Sequence, residues 1–200
     1  MIRKNKSKQI AFLSVVFALI IVLQLISELL RILGMPMSLA LGLIPVLVVS
    51  QTNGFKYGMI SGLMYGIICL LIAVIGATTN PMFAIVINPL ISVFPRIMVG
   101  LVCGAVFYQT NKHNTNNKKK RYLYSTIATI CGVLTNTILF LGMFFLFAHD
   151  KSFSGLTINF EWLLTAVVAL NTVIELVVFT ILVPAIVNAL FSSKFQLNKF

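Results

Sequence analysis

The chain reads as an all-α integral membrane protein: one six-helix bundle over residues 1–200, with both termini in the cytoplasm. Three observations carry that reading. Hydrophobic residues make up 59% of the 200 and charged residues only 10%, against roughly 25% charged in a soluble domain, and the mean hydropathy is +1.02. So little polar side chain cannot cover a water-facing globule, so much of the solvent must be lipid. The apolar residues also come in long runs with short connections. A helical span takes about 20 residues, which leaves room for about six spans and none for a sizeable soluble domain.

The third observation is where the basic residues fall. With the N-terminus inside, the inner set is Arg3, Lys4, Lys6, Lys8, Lys56, Lys112, Lys118, Lys119, Lys120, Arg121, Lys194 and Lys199, twelve of the 15 Lys and Arg. Outside stand only Arg31 and Lys151, and Arg96 falls within a span. Translocating Lys and Arg is unfavourable, so cytoplasmic connections keep them.

The spans are expected near 9–33, 36–52, 55–76, 84–108, 122–148 and 161–190. Basic residues precede the first, as in a secretory leader. Its apolar run from Ile10 to Ile26 is too long for a signal-peptide core and no small-residue cleavage pattern follows, so the helix is expected to be retained. Ser14 and Ala18 form a small-xxx-small pair with Ala11 on much the same side. Such a strip buries against a helix of the same chain or docks one from another subunit, and both readings stand. The second span is short and interrupted by Pro45. In the third, Gly58, Gly62 and Gly66 line one face and permit close backbone approach, as do Gly100 and Gly104 in the fourth. Ahead of the fifth lies QTNKHNTNNKKKR (109–121), a polar, basic segment suited to anionic headgroups and not read as a nucleic-acid site. Trp162 marks the outer start of the sixth, where an interfacial aromatic anchor is expected.

Polar groups inside a bilayer are costly and face the protein interior, a cavity or a partner. The sharpest cluster is NPLISVFPRIMVG, residues 88–100, in which Asn88, Ser92 and Arg96 are spaced i, i+4, i+8. Pro89 and Pro95 each remove a backbone donor, and Pro95 is placed to unwind the turn before Arg96. The fifth span adds Thr135, Asn136 and Thr137, and the sixth adds Asn171, Thr172 and Glu175. Two readings are open. Arg96 and Glu175 form a structural ion pair, or Arg96 faces a cavity and holds an anionic ligand group. In the second reading Asn88, Ser92, Asn136 and Asn171 are hydrogen-bond partners; a mixed case has Glu175 tether Arg96 while the ligand supplies the other half of its charge balance. The loop GATTNPMF (76–83), with Thr79 and Asn80, serves either as a lid over an outward pocket or as a plain connector.

Other chemistry is excluded by what the sequence lacks. Cys69, Cys103 and Cys131 sit in separate apolar runs without disulfide or metal spacing. His113 and His149 have no second ligand nearby, and no phosphate-cradling glycine loop, HExxH or paired-carboxylate site occurs. No catalytic residue, metal or cofactor is expected, and the chain cannot hydrolyse ATP by itself. Two rival classes remain: a stand-alone secondary transporter or channel, and an intramembrane enzyme, for which no nucleophile–base or metal pair is visible.

Taken together, Ala11/Ser14/Ala18, LGLIPVLV (41–48), the GxxxGxxxG of 58–66, NPLISVFPRIMVG and TNTILFLG (135–142) resemble the substrate-binding S components of energy-coupling factor (ECF) transporters. The resemblance covers nearly the whole chain, and NP-x(5)-PR-x(3)-G is its most specific part. It implies a vitamin-capturing subunit of the bacterial plasma membrane with an outward pocket, working with a transmembrane coupling protein and two cytoplasmic ATPases. It also implies that the first helix docks the coupling protein through an alanine-x-x-x-alanine motif, here Ser14–Ala18 with serine in first place, and that the subunit topples during transport. One cation among several amides and hydroxyls, with few aromatic residues beside them, suits a small flexible carboxylate. The 88–100 stretch is similar to that of pantothenate-type S components. Pantothenate is the expected substrate, with folate, pyridoxine and hydroxymethylpyrimidine as alternatives.

Overall fold

The computed structural model describes residues 2–33, 40–77, 86–111, 118–148, 152–153, 156–157 and 172–192. It is nearly all helical: α1 (Ile2–Ile32), α2 (Leu43–Asn53), α3 (Phe55–Gly76), α4 (Pro89–Ser92), α5 (Phe94–Asn111), α6 (Lys118–Ala148) and α7 (Val173–Ser192). Among the described residues, the addition to the expected all-α fold is a small antiparallel pairing of Ser152–Phe153 with Leu156–Thr157. Among the described residues, five stretches are long and apolar enough to cross a membrane: Gln9–Ile32, Phe55–Gly76, Pro89–Thr110, Lys118–Phe147 and Val173–Ser192. Their outer faces carry large apolar side chains such as Val15, Leu25, Ile75, Ile138 and Ile181, as lipid-facing helices must. The multi-pass membrane fold expected from composition is the fold observed.

Helix α2 is different. Its 11 residues span about 16 Å at about 1.5 Å per residue, roughly half of a hydrocarbon core of about 30 Å. Nearly all of it is buried, with Leu43, Val46 and Leu47 fully inaccessible, and it packs against α1, α3, α5, α6 and α7. Pro45 does not interrupt it. The residue lies in the first turn, where backbone N–H groups have no intrahelical acceptor, so its missing donor costs nothing there. The helix ends at Gly54, whose φ of 90° is the only positive value among the described glycines and allows α3 to start at once from Phe55.

The glycine spacing builds the central seam. A Cβ on Gly58 would stand 2.5 Å from the Gly100 carbonyl oxygen and one on Gly66 would stand 2.7 Å from Val93 Cα. A Cβ on Gly62 would run into the Arg96 carbonyl. These three positions thus let the backbone of α5 lie directly in the face of α3.

The proline-rich stretch breaks the fourth span at Val93, between α4 and α5. Pro89 opens α4, and the Asn88 side chain caps it by accepting the Leu90 N–H at 3.1 Å. Pro95 cannot donate to the carbonyl four residues back. That carbonyl belongs to Ile91, and the Arg96 guanidinium takes it instead, Nη1 to O at 2.8 Å. The proline and the arginine act as one unit.

Two polar nodes fasten the rest. Gln51 donates to Thr129 Oγ1 (3.0 Å) and to Cys103 Sγ (3.3 Å), and accepts from Ser125 Oγ (2.5 Å), tying α2 to α5 and α6. Arg121 is buried, not loop-exposed. Its Nε donates to Asn188 Oδ1 at 2.9 Å and its guanidinium lies 4.9 Å from the Phe191 ring, joining α6 to α7.

Candidate functional site

A cavity of about 250 Å³ opens among α1, α3, α5, α6 and α7, next to Ala40. Arg96 forms part of its wall from the first turns of α5 and is only 9% exposed. Apart from the bond to Ile91, its Nε is buried with no hydrogen-bond partner. The guanidinium carbon sits 5.0 Å from the Phe140 ring centroid and 6.0 Å from that of Tyr65, so aromatic faces offset part of the charge's desolvation. Asn136 of α6 joins the same wall, its Oδ1 buried and likewise unpartnered.

Glu175 reaches the cavity from the first turn of α7 and is 6% exposed. It does not pair with Arg96. Its Oε1 accepts the backbone N–H of Ala40 at 2.8 Å, and the next N–H, that of Leu41, donates to Ser27 Oγ at 3.2 Å. Those donors precede α2, in a non-helical stretch that needs side-chain acceptors within the apolar slab. Ion pairing instead joins Arg31 to Glu28 at 2.7 Å, both also on the cavity wall. Arg96 and Glu175 therefore share one cavity without a direct salt bridge between them.

Of the residues expected at the site, the structure brings Arg96, Asn136 and Glu175 together. Asn88 and Ser92 stand apart from the wall. Asn88 caps α4, and Ser92 Oγ donates to the carbonyls of Val86 and, at 3.4 Å, Asn88. Because the helix breaks at Val93, the i, i+4, i+8 face that would have aligned them with Arg96 does not persist. Thr79, Asn80 and Asn171, with Trp162, His113 and His149, lie outside the described residues.

The cavity also draws on residues the sequence reading passed over. Gln24, Ser27, Glu28 and Arg31 line it from α1. Their spacing of i, i+3, i+4, i+7 is a polar stripe on an otherwise apolar helix, and that signal was available. Tyr65, Cys69 and Ile72 line it from α3, at i, i+4, i+7. Tyr65 and Phe140 bring aromatic surface to a cluster expected to have little. Elsewhere on α1, Ala11, Ser14 and Ala18 are exposed, with the Ser14 hydroxyl donating to the Ile10 carbonyl at 3.0 Å.

Comparison with known proteins gives a consistent answer. The sequence model of the family described as "ECF transporter, substrate-specific component" matches residues 8–187. The pantothenic acid transporter PanT of Lactococcus lactis subsp. cremoris is 28% identical over 205 residues, covering 96% of this chain and 98% of the relative. The solved structure of ThiT from Listeria monocytogenes superposes with a TM-score of 0.56 at 15% identity, covering 92% of this chain and 96% of that one; at that identity it speaks for the fold alone. The chain is a member of the ECF transporter substrate-specific components.

Proposed function

We propose that the protein is the pantothenate-capturing subunit of an ECF transporter, with the ligand carboxylate held at Arg96. The observation that supports this best is a buried guanidinium on a cavity wall whose Nε has no partner and which forms no salt bridge with a carboxylate among the described residues. Arginine offers planar, charge-assisted donors to a carboxylate, and Asn136 stands beside it with amide donors. The cavity volume of about 250 Å³ lies just under the roughly 300–1,000 Å³ of drug-sized pockets. That suits a ligand as small as pantothenate. The likeness to PanT points the same way.

In this reading the chain binds and releases the vitamin, while a transmembrane coupling protein and two cytoplasmic ATPases supply the energy for uptake. The exposed Ala11/Ser14/Ala18 strip meets the coupling protein. The test is titration of the purified chain with pantothenate, alongside mass spectrometry of small molecules that co-purify with it. Arg96→Ala should weaken binding by about 2–5 kcal/mol, roughly 30-fold to several-thousand-fold in Kd, as expected for a buried charge left without its partner. A folded Arg96→Ala protein with wild-type affinity would overturn the reading. So would pantothenate uptake by the chain alone in ATP-free vesicles.

A further inference from the structure

The cavity that Arg96 lines has a second pole, made of acceptors. Gln24, 8% exposed, lines it from α1 and its Oε1 is buried with no hydrogen-bond partner. That oxygen lies 3.1 Å from where a Cβ on Gly42 would stand, so it is at the start of α2. Glu175 lines the same cavity from α7. It spends Oε1 on the Ala40 N–H, and Oε2 takes no hydrogen bond from any described residue. An unpaired acceptor as deeply buried as Gln24 Oε1 costs free energy unless something donates to it. Among the described residues none donates to it, although Arg96 shares the cavity.

We propose that Gln24 and Glu175 form a hydroxyl-accepting subsite, so that the ligand lies across the cavity with its carboxylate at Arg96 and its hydroxyl end at this pole. The inference rests on the pantothenate reading and deepens it, by assigning the ligand's orientation and the feature that selects it. A carboxylate alone satisfies Arg96. Only a molecule with donors at its far end satisfies both walls. A site built to accept from a hydroxyl discriminates strongly against an analogue lacking it, because its own buried acceptors are then left unpaired.

The test is calorimetric titration of the full chain, purified free of ligand, with two probes. One is pantothenate; the other is N-(3,3-dimethylbutanoyl)-β-alanine, the same amide and carboxylate without either hydroxyl. The wild-type protein should prefer pantothenate by about tenfold to a hundredfold or more. Glu175→Gln, which keeps an oxygen for the Ala40 N–H, and Gln24→Met, which keeps the volume, should each reduce that preference while changing affinity for the dideoxy probe little. Arg96→Ala should weaken both probes alike. Equal wild-type affinity for the two probes overturns the subsite without needing any variant. An undiminished preference in both folded variants overturns it too, and either result leaves the carboxylate site at Arg96 standing. Failure of the wild-type protein to bind either probe overturns both assignments.

Discussion

The substitution Gly62→Ala links the packing seam to the ligand cavity most directly. A methyl group at position 62 would fall against the Arg96 carbonyl, 2.9 Å from its carbon and 3.1 Å from Ile97 Cα. All of these are backbone atoms, so no rotamer change relieves the overlap. Ordinary contact begins near 3.4 Å, and α3 and α5 must part by about half an ångström or more, the kind of overpacking that costs about 1–3 kcal/mol. The displaced residue is the one on which ligand capture depends. Its guanidinium is anchored at Ile91 by a 2.8 Å bond and wedged between Tyr65 and Phe140, so moving its Cα misaligns Nε with the cavity. We expect pantothenate affinity to fall about tenfold or more, as small misplacements of a binding group do, together with a lower unfolding temperature. Titration and thermal unfolding of the purified variant measure both. Gly142→Ala is the control, because nothing stands within 4 Å of a Cβ there, and it should leave both quantities unchanged. If Gly62→Ala bound ligand like the wild type, the claim that the glycine seam sets the position of Arg96 would be wrong.

Two further expectations concern parts away from the cavity. Gln51→Leu strands the Ser125 and Thr129 hydroxyls in the core and should destabilise the fold by about 1–3 kcal/mol with ligand affinity intact; an unchanged unfolding temperature would refute the node's role. Ser14→Trp should block ATP-driven uptake in vesicles carrying the coupling protein and ATPases while sparing capture by the purified chain. Normal transport would remove the α1 strip from the docking surface.

Much of the bundle was legible because bilayer physics writes itself into composition: apolar run length gives the long helices, and glycine spacing gives the α3–α5 seam. The site was legible only in part, for a local reason. Periodicity assumes a continuous helix, and in NPLISVFPRIMVG the helix breaks at Val93. Asn88 and Ser92 therefore serve the break itself, as cap and brace, while Arg96 alone goes to the cavity. Arg121 shows the converse. It ends a basic tract that reads as solvated, yet Asn188 and Phe191, 67 and more residues away, bury it. Partners so distant leave no local trace. The stripe Gln24, Ser27, Glu28 and Arg31 did leave one, as polar side chains on a single face of α1.

The half-length α2 explains why a cavity exists at all. Among the described residues five helices can cross the slab, and a sixth covers only half of it with 11 residues, so no described helix fills the other half, a cylinder of about 10 Å diameter. The groups found at that gap are those such a gap requires. Ala40 and Leu41, just before α2, present N–H donors that no helix satisfies, and Glu175 and Ser27 accept them. Glu175 is consumed by this duty on one oxygen, which keeps it from collapsing onto Arg96. The arginine is held back in turn by the carbonyl that Pro95 leaves free. Each charge is thus anchored to backbone by a neighbouring irregularity, and their separation follows from where the helices break. Replacing Pro95 by a residue that can donate to Ile91 would release the guanidinium, and with it the gap between the two charges that the ligand is proposed to fill.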